Sequence, residues 1–241
     1  MLSVGLALAL TALAVVGAEW FARARHLPEF AARKVLHCAA ACLVAAGGWW
    51  LGQSPYTVVG LVFGVAMAAS RFAPPGLIAT LGDLRRSSWG EVAFPLGVAG
   101  AAWLAPDRAG FVAAVMVLGA ADTAAAVVGR VWSARARCRP TSPSPPLSAA
   151  SPAGIPDDVG QSDPGSRRIG PGRVWRCLTG GKTAVGSLAF GVVASVILVF
   201  FRDLPVGIVL ALVATTVEAV SPRGLDNLTV PLSLVLAWRI G

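Results

Sequence analysis

The stretch AGFVAAVMVLGAADTAAAVVG, residues 109–129, carries one charge, Asp122, in an otherwise apolar run. A helix needs about 20 mostly apolar residues to cross the roughly 30 Å hydrocarbon core of a bilayer, so this stretch reads as a membrane span. Seven further apolar runs are bounded by charges or by Pro/Gly turns: residues 2–22, 35–51, 56–70, 91–105, 184–201, 204–220 and 225–240. The expected fold is all-α, a polytopic transmembrane helix bundle of about eight spans. The range is about seven to nine, because the runs 56–70, 91–105 and 225–240 are short. Composition points the same way. Of 241 residues, 56% are hydrophobic and 13% charged, with a mean hydropathy of +0.70, against about 25% charged in a soluble domain.

The first run lacks a basic leader, and Ala18-Glu19-Trp20 makes a poor small-residue cleavage site, so it reads as a retained helix rather than a signal peptide. The net charge of +8 lies in the segments between apolar runs and is not interleaved with exposed aromatics, which excludes a nucleic-acid partner. When the Lys and Arg are assigned to alternate sides, 17 of the 20 fall on one side. The positive-inside rule makes that side cytoplasmic and places the N-terminus outside. The expected location is an integral membrane one, in a bacterial plasma membrane or an organelle membrane. Cys38, Cys42, Cys138 and Cys177 form no CxxC pair, and no disulfide is expected on the reducing side.

One segment breaks the pattern. Residues 133–176 are rich in Pro, Ser, Gly and Arg and cannot bury enough apolar area to offset chain entropy. They read as a disordered cytoplasmic loop between a five-span part, residues 1–132, and a three-span part, residues 177–241. Gly60 and Gly64 form a GxxxG pair of the kind that lets helices pack closely in lipid.

The polar residues gather at the cytoplasmic ends of the runs. Arg33, Lys34 and His37 stand where the second run begins, with i, i+3, i+4 spacing that puts them on one helix face; anchoring at the interface is the plainer reading. The chain uses 18 Arg but only two Lys, Lys34 and Lys182, which suggests that a compact point charge is required at both places. Asp122 sits inside its span at a cost of a few kcal/mol, so it is a functional candidate by default. Gly180-Gly181-Lys182-Thr183 resembles the end of a phosphate-binding loop, but Arg176 stands where that pattern needs Gly and no strand precedes it. A Gly pair, a Lys and the N–H groups of a helix start still make a phosphate cradle. Glu218, Asp226 and Asn227 cluster within ten residues and suit a hydrated Mg²⁺ carrying a nucleotide phosphate, with helix capping by Asp226 or Asn227 as the alternative. Glu91 belongs to the same face.

The motifs RKVLH (33–37), GEVAFPLG (90–97), ADTAAAVVGR (121–130), GKTAVGSLAF (181–190) and EAVSPRGLDNLTVPL (218–232) resemble, in this order, the phytol kinase and dolichol (polyprenol) kinase family. That group also includes a CTP-dependent diacylglycerol kinase. The resemblance implies transfer of the CTP γ-phosphate, with Mg²⁺, to an isoprenoid alcohol such as phytol, geranylgeraniol or a polyprenol at the cytoplasmic face. It also implies roles for named residues. Asp122, Glu218 and Asp226 become metal ligands, and Arg33, Lys34, Lys182 and Asn227 bind nucleotide or phosphate. Asp122, His37 and Lys182 become catalytic, with His37 or a carboxylate as the base. Residues 133–176 make a longer connection than the family implies and read as a tether. A CTP:phosphatidate cytidylyltransferase shares nucleotide, metal and membrane, but its C-terminal Lys/Asp/Gly-His-Gly signature is missing. A transporter or membrane scaffold is the rival from another class. Deletion of residues 141–165 is expected to leave membrane insertion and activity nearly unchanged, as measured by fractionation and turnover; a dead deletion variant refutes the tether.

Overall fold

The structure, a computed structural model, describes residues 2–26, 28–70, 89–137, 182–222 and 224–240. Among these residues every element is helical. The chain forms α1 (Leu2–Ala24), α2 (Glu29–Leu51), α3 (Ser54–Ser70), α4 (Gly90–Leu104), α5 (Arg108–Met116), a π turn (Val117–Ala121) and α6 (Asp122–Arg137). It continues with α7 (Ala184–Phe201), α8 (Leu204–Val220) and α9 (Asp226–Trp238). Three helical stretches are long and apolar enough to cross a membrane: Phe30–Leu51, Arg108–Arg135 and Ala184–Phe201. Helix α1 has 23 residues, and α3, α4, α8 and α9 are shorter, from 17 residues down to 15 in α4 and 13 in α9.

The helix boundaries follow local chemistry. Pro28 sits at the N-cap of α2, and Gly52 ends that helix with φ +86, a backbone state that only glycine adopts without strain. Asp107 caps α5 by accepting from the Gly110 N–H at 2.6 Å. The span expected to stop at Gly129 runs on as helix to Arg137. Residues 130–137 contain no Gly or Pro, and Ala and Arg favour helix there, so residues 133–137 belong to α6 and not to an irregular loop. The rest of the Pro/Ser-rich segment, residues 138–176, lies outside the described residues, as do Gly180, Gly181, Cys138 and Cys177.

The continuous helix α5–π–α6 is the centre of the bundle: Phe111, Val115, Val117, Leu118 and Ala121 are fully buried, with α2, α4, α7 and α9 packed around it. The outer faces are apolar too. Leu188, Val192, Val196 and Phe200 form an exposed i, i+4 stripe along α7, a surface that water does not tolerate and lipid does. Small residues set the helix spacing. A Cβ on Gly60 would lie 2.8 Å from the Ala99 Cβ, and one on Gly64 would lie 2.8 Å from the Leu96 Cγ, so both halves of the GxxxG pair face α4.

One end of the bundle is flush. Gln53 donates to the Ala105 carbonyl at 2.7 Å, and Trp238 Nε1 donates to Asp107 at 3.3 Å. Three arginines satisfy helix C-termini across element boundaries: Arg108 donates to Trp49 O, Arg239 to Leu104 O and Arg202 to Trp238 O. Arg202 also stacks over the Trp238 ring at 4.5 Å. The helices therefore alternate in direction, and the N-termini of α2, α4, α7 and α9 gather at the other end with the C-terminus of α8.

Gly60→Leu is expected to lower stability by about 1–3 kcal/mol through overpacking against α4, read as a lower unfolding midpoint in detergent; Gly5→Leu, where an added Cβ meets nothing within 4 Å, leaves the midpoint unchanged.

Candidate active site: two lysine–carboxylate centres

Two lysine-centred ion clusters form at the end away from the arginine caps. In the first, Lys34 of α2 donates from Nζ to Asp122 Oδ2 at 2.5 Å. His37, one turn further along α2, places Nε2 3.5 Å from the same oxygen and 3.1 Å from the Leu118 carbonyl. A carbonyl only accepts, so Nε2 carries the proton. The His37 ring packs on Phe94 of α4, with centroids 4.5 Å apart.

The π turn makes this meeting possible. π turns recur inside α-helices at functional sites, and here residues 117–121 lie immediately before Asp122. Gly119 within the turn lets α2 approach, since a Cβ there would overlap the Cβ of Ala41. The hydroxyl of Thr123, next to Asp122, is buried without a hydrogen-bond partner.

In the second cluster Lys182 stands just before α7 and bridges two helices. Its Nζ lies 2.9 Å from Glu218 Oε1 at the end of α8 and 2.9 Å from Asp226 Oδ2 at the start of α9, and it also donates to the Glu218 carbonyl. Ser187 Oγ donates to Glu218 Oε2 at 3.0 Å. Glu218 is buried, with 5% of its surface exposed. Gly224, at φ +87, makes the turn that brings α9 back beside α8. Thr183 caps α7 by accepting from the Gly186 N–H at 3.0 Å, and Gly186 packs against the Ala125 carbonyl of α6. Asp226 also acts electrostatically on His37, so the two clusters are neighbours.

The residues singled out from the sequence fare differently. Lys34, His37, Asp122, Lys182, Glu218 and Asp226 are drawn together from α2, α6, α8, α9 and the segment before α7. The three carboxylates expected to share a metal are divided between the two lysines, and among the described residues no three His, Cys, Asp or Glu side chains form a metal-binding group. Asn227, expected to bind nucleotide, turns its Nδ2 to the Gly90 carbonyl of α4 at 3.1 Å, while its backbone N–H donates to Asp226 Oδ1 at 3.0 Å; it ties α9 to α4 and orients Asp226. Arg33 is exposed beside Lys34. Sequence reasoning missed the roles of Ser187, Phe94 and the Leu118 carbonyl. A hydroxyl five residues after Lys182, in an apolar helix start, was the available signal for Ser187. Nothing marked the other two. Cys38 and Cys42 are free thiols.

Comparison of the chain with protein-family models, with curated proteins and with solved structures finds no match in any of the three.

Among the described residues, three carboxylates pair with the two lysines. Removing one partner of a partly buried pair strands the other. Asp122→Asn and Lys34→Met are each expected to lower the unfolding midpoint in detergent, and the double variant to recover part of the loss. The expected coupling is roughly 1–3 kcal/mol; a strictly additive double variant refutes a stabilising pair.

Proposed function

We propose that this chain is an integral-membrane lipid-alcohol kinase that transfers the γ-phosphate of CTP to an isoprenoid alcohol. On this reading the charged end faces the cytoplasm, the helices act as an eight-span bundle and the N-terminus is outside. The observation that carries the proposal is the pairing of both lysines of the chain with carboxylates in adjacent clusters. Phosphoryl transfer needs that inventory: cations for the phosphates, carboxylates for a divalent ion, and a base for the hydroxyl. The motif resemblance supplies the substrate class and the nucleotide.

Mg²⁺ usually takes one or two carboxylates and completes its shell with water and phosphate oxygens, so Glu218 and Asp226, which converge on a single ammonium, fit it. Bound there, the ion would neutralise charge on the triphosphate. Lys182 then exchanges its carboxylate partners for phosphate oxygens, and Lys34 turns from Asp122 to the same anion. Ser187 holds Glu218 in place, and Asn227 holds Asp226. His37 donates through Nε2 to the Leu118 carbonyl, and in this reading the base is the Asp122 carboxylate released by Lys34. It takes the alcohol proton as the alcohol oxygen bonds to the γ-phosphorus and the bond to the β,γ-bridging oxygen breaks, leaving CDP.

Label transfer from γ-labelled CTP or ATP, with Mg²⁺, onto phytol, geranylgeraniol, a long polyprenol and diacylglycerol tests the proposal. The expected outcome is one labelled alcohol with CTP preferred. Asp122→Asn and Lys182→Ala are expected to reduce turnover at least about 100-fold. Label in diacylglycerol alone refutes the isoprenoid substrate. Folded protein that labels none of the four refutes the kinase, and transfer of label from CTP labelled at the α-phosphate onto phosphatidate establishes the cytidylyltransferase instead.

A further inference from the structure

The flush end provides a level from which depth is counted. Its helix termini are tied together through Gln53, Asp107, Arg108, Arg202 and Arg239. His37 lies 14 residues from Leu51, Gly90 14 from Leu104, Asp122 14 from Arg108 and Glu218 14 from Leu204. At a rise of about 1.5 Å per residue, all four stand about 21 Å from the flush end. The hydrocarbon core of a bilayer is about 30 Å thick.

Two helices continue past this level. Phe30 lies 21 residues from Leu51 and Arg130 lies 22 from Arg108, which places both at about 32 Å. They meet there, with the guanidinium 4.3 Å from the ring centroid, so the two counts agree. Trp132 follows at about 36 Å, 55% exposed. On the other side α4 and α9 begin lower, at Gly90 and Asp226. Trp89, one residue before α4 and 52% exposed, stands at only about 22 Å. Exposed tryptophans mark the level of lipid head groups, and Trp49, Trp50 and Trp103 mark it at the flush end. Trp89 and Trp132 thus mark levels about 14 Å apart.

We propose that the bundle meets the membrane as a step. On the α4 and α9 side the lipid surface is drawn down to Trp89, which places lipid head groups level with Asp122 and Glu218; on the α2 and α6 side the surface stays about 10–14 Å higher. A helix shorter than the bilayer is accommodated by local thinning. A membrane alcohol approaching from the short side brings its hydroxyl level with the carboxylates without leaving the bilayer, and the high wall, with Arg33 and Arg130, faces the water from which a triphosphate arrives. The step stands on geometry alone; only the identity of the lipid rests on the kinase proposal.

The test uses spin labels in a variant with all four cysteines replaced by alanine, reconstituted in phosphatidylcholine vesicles. Labels are placed at Trp89→Cys, at Val220→Cys as a second short-side position, and at Trp132→Cys. Depth is read from relaxation by oxygen against a water-soluble nickel chelate. The expected result is the same head-group depth at all three positions. Short-side labels about 12–14 Å deeper than the label at 132 overturn the step. In vesicles of increasing lipid chain length, transfer to the alcohol is expected to fall several-fold, and a flat profile overturns access from the short side. Equal label depths with no transfer to any alcohol leave the step standing and refute the kinase.

Discussion

A charge on an apolar helix has to find its counter-charge on a different helix, and this constraint organises the molecule. Desolvating a single carboxylate or ammonium costs several kcal/mol, and the cost is offset only when partners sit at close range. Lys34 and Asp122 are 88 residues apart in sequence and meet at 2.5 Å; Lys182 closes on Glu218 and Asp226 at 2.9 Å each. These contacts hold α2 to α6 and draw the segment before α7 onto α8 and α9. On the proposed reading, the same contacts supply the groups that handle the alcohol and the phosphate.

The opposite end solves a related problem in another way. Helix C-termini leave carbonyls unpaired, and three arginines answer three of those termini on neighbouring helices. Those arginines are the three basic residues that fall on the side the positive-inside count leaves poor in charge, and each is engaged with a carbonyl. Because this end is tied flush, differences in helix length all appear at the charged end. Unequal helices and a recessed charged centre are thus one feature with a single cause.

Much of the architecture was legible in the sequence because hydrophobicity is a local property. The apolar runs became helices with ends shifted by a few residues, and Gly60 and Gly64 packed as their spacing indicated. The exception was α6, whose charged last two turns hid a helix that lacks any breaker before Pro140. Polarity had outweighed backbone propensity in the reading of that segment. The site was legible as a list of residues, since Asp122, Lys34 and Lys182 are rare types in a chain so apolar and so rich in arginine.

The sequence by itself determined which runs are helical and apolar, and which ionisable residues sit where charge is costly, because periodicity and transfer free energy act within a single helix. The tertiary structure alone decided the pairing. It divided Asp122 from Glu218 and Asp226, turned Asn227 into a tie between α9 and α4, and brought in Ser187, Phe94 and, through the π turn, the Leu118 carbonyl. Those outcomes depend on the rotation and register of one helix against another, set by close approaches such as Gly119 on Ala41 and Gly186 on Ala125. No local pattern encodes them, because an ion pair between helices exists only after the helices have packed.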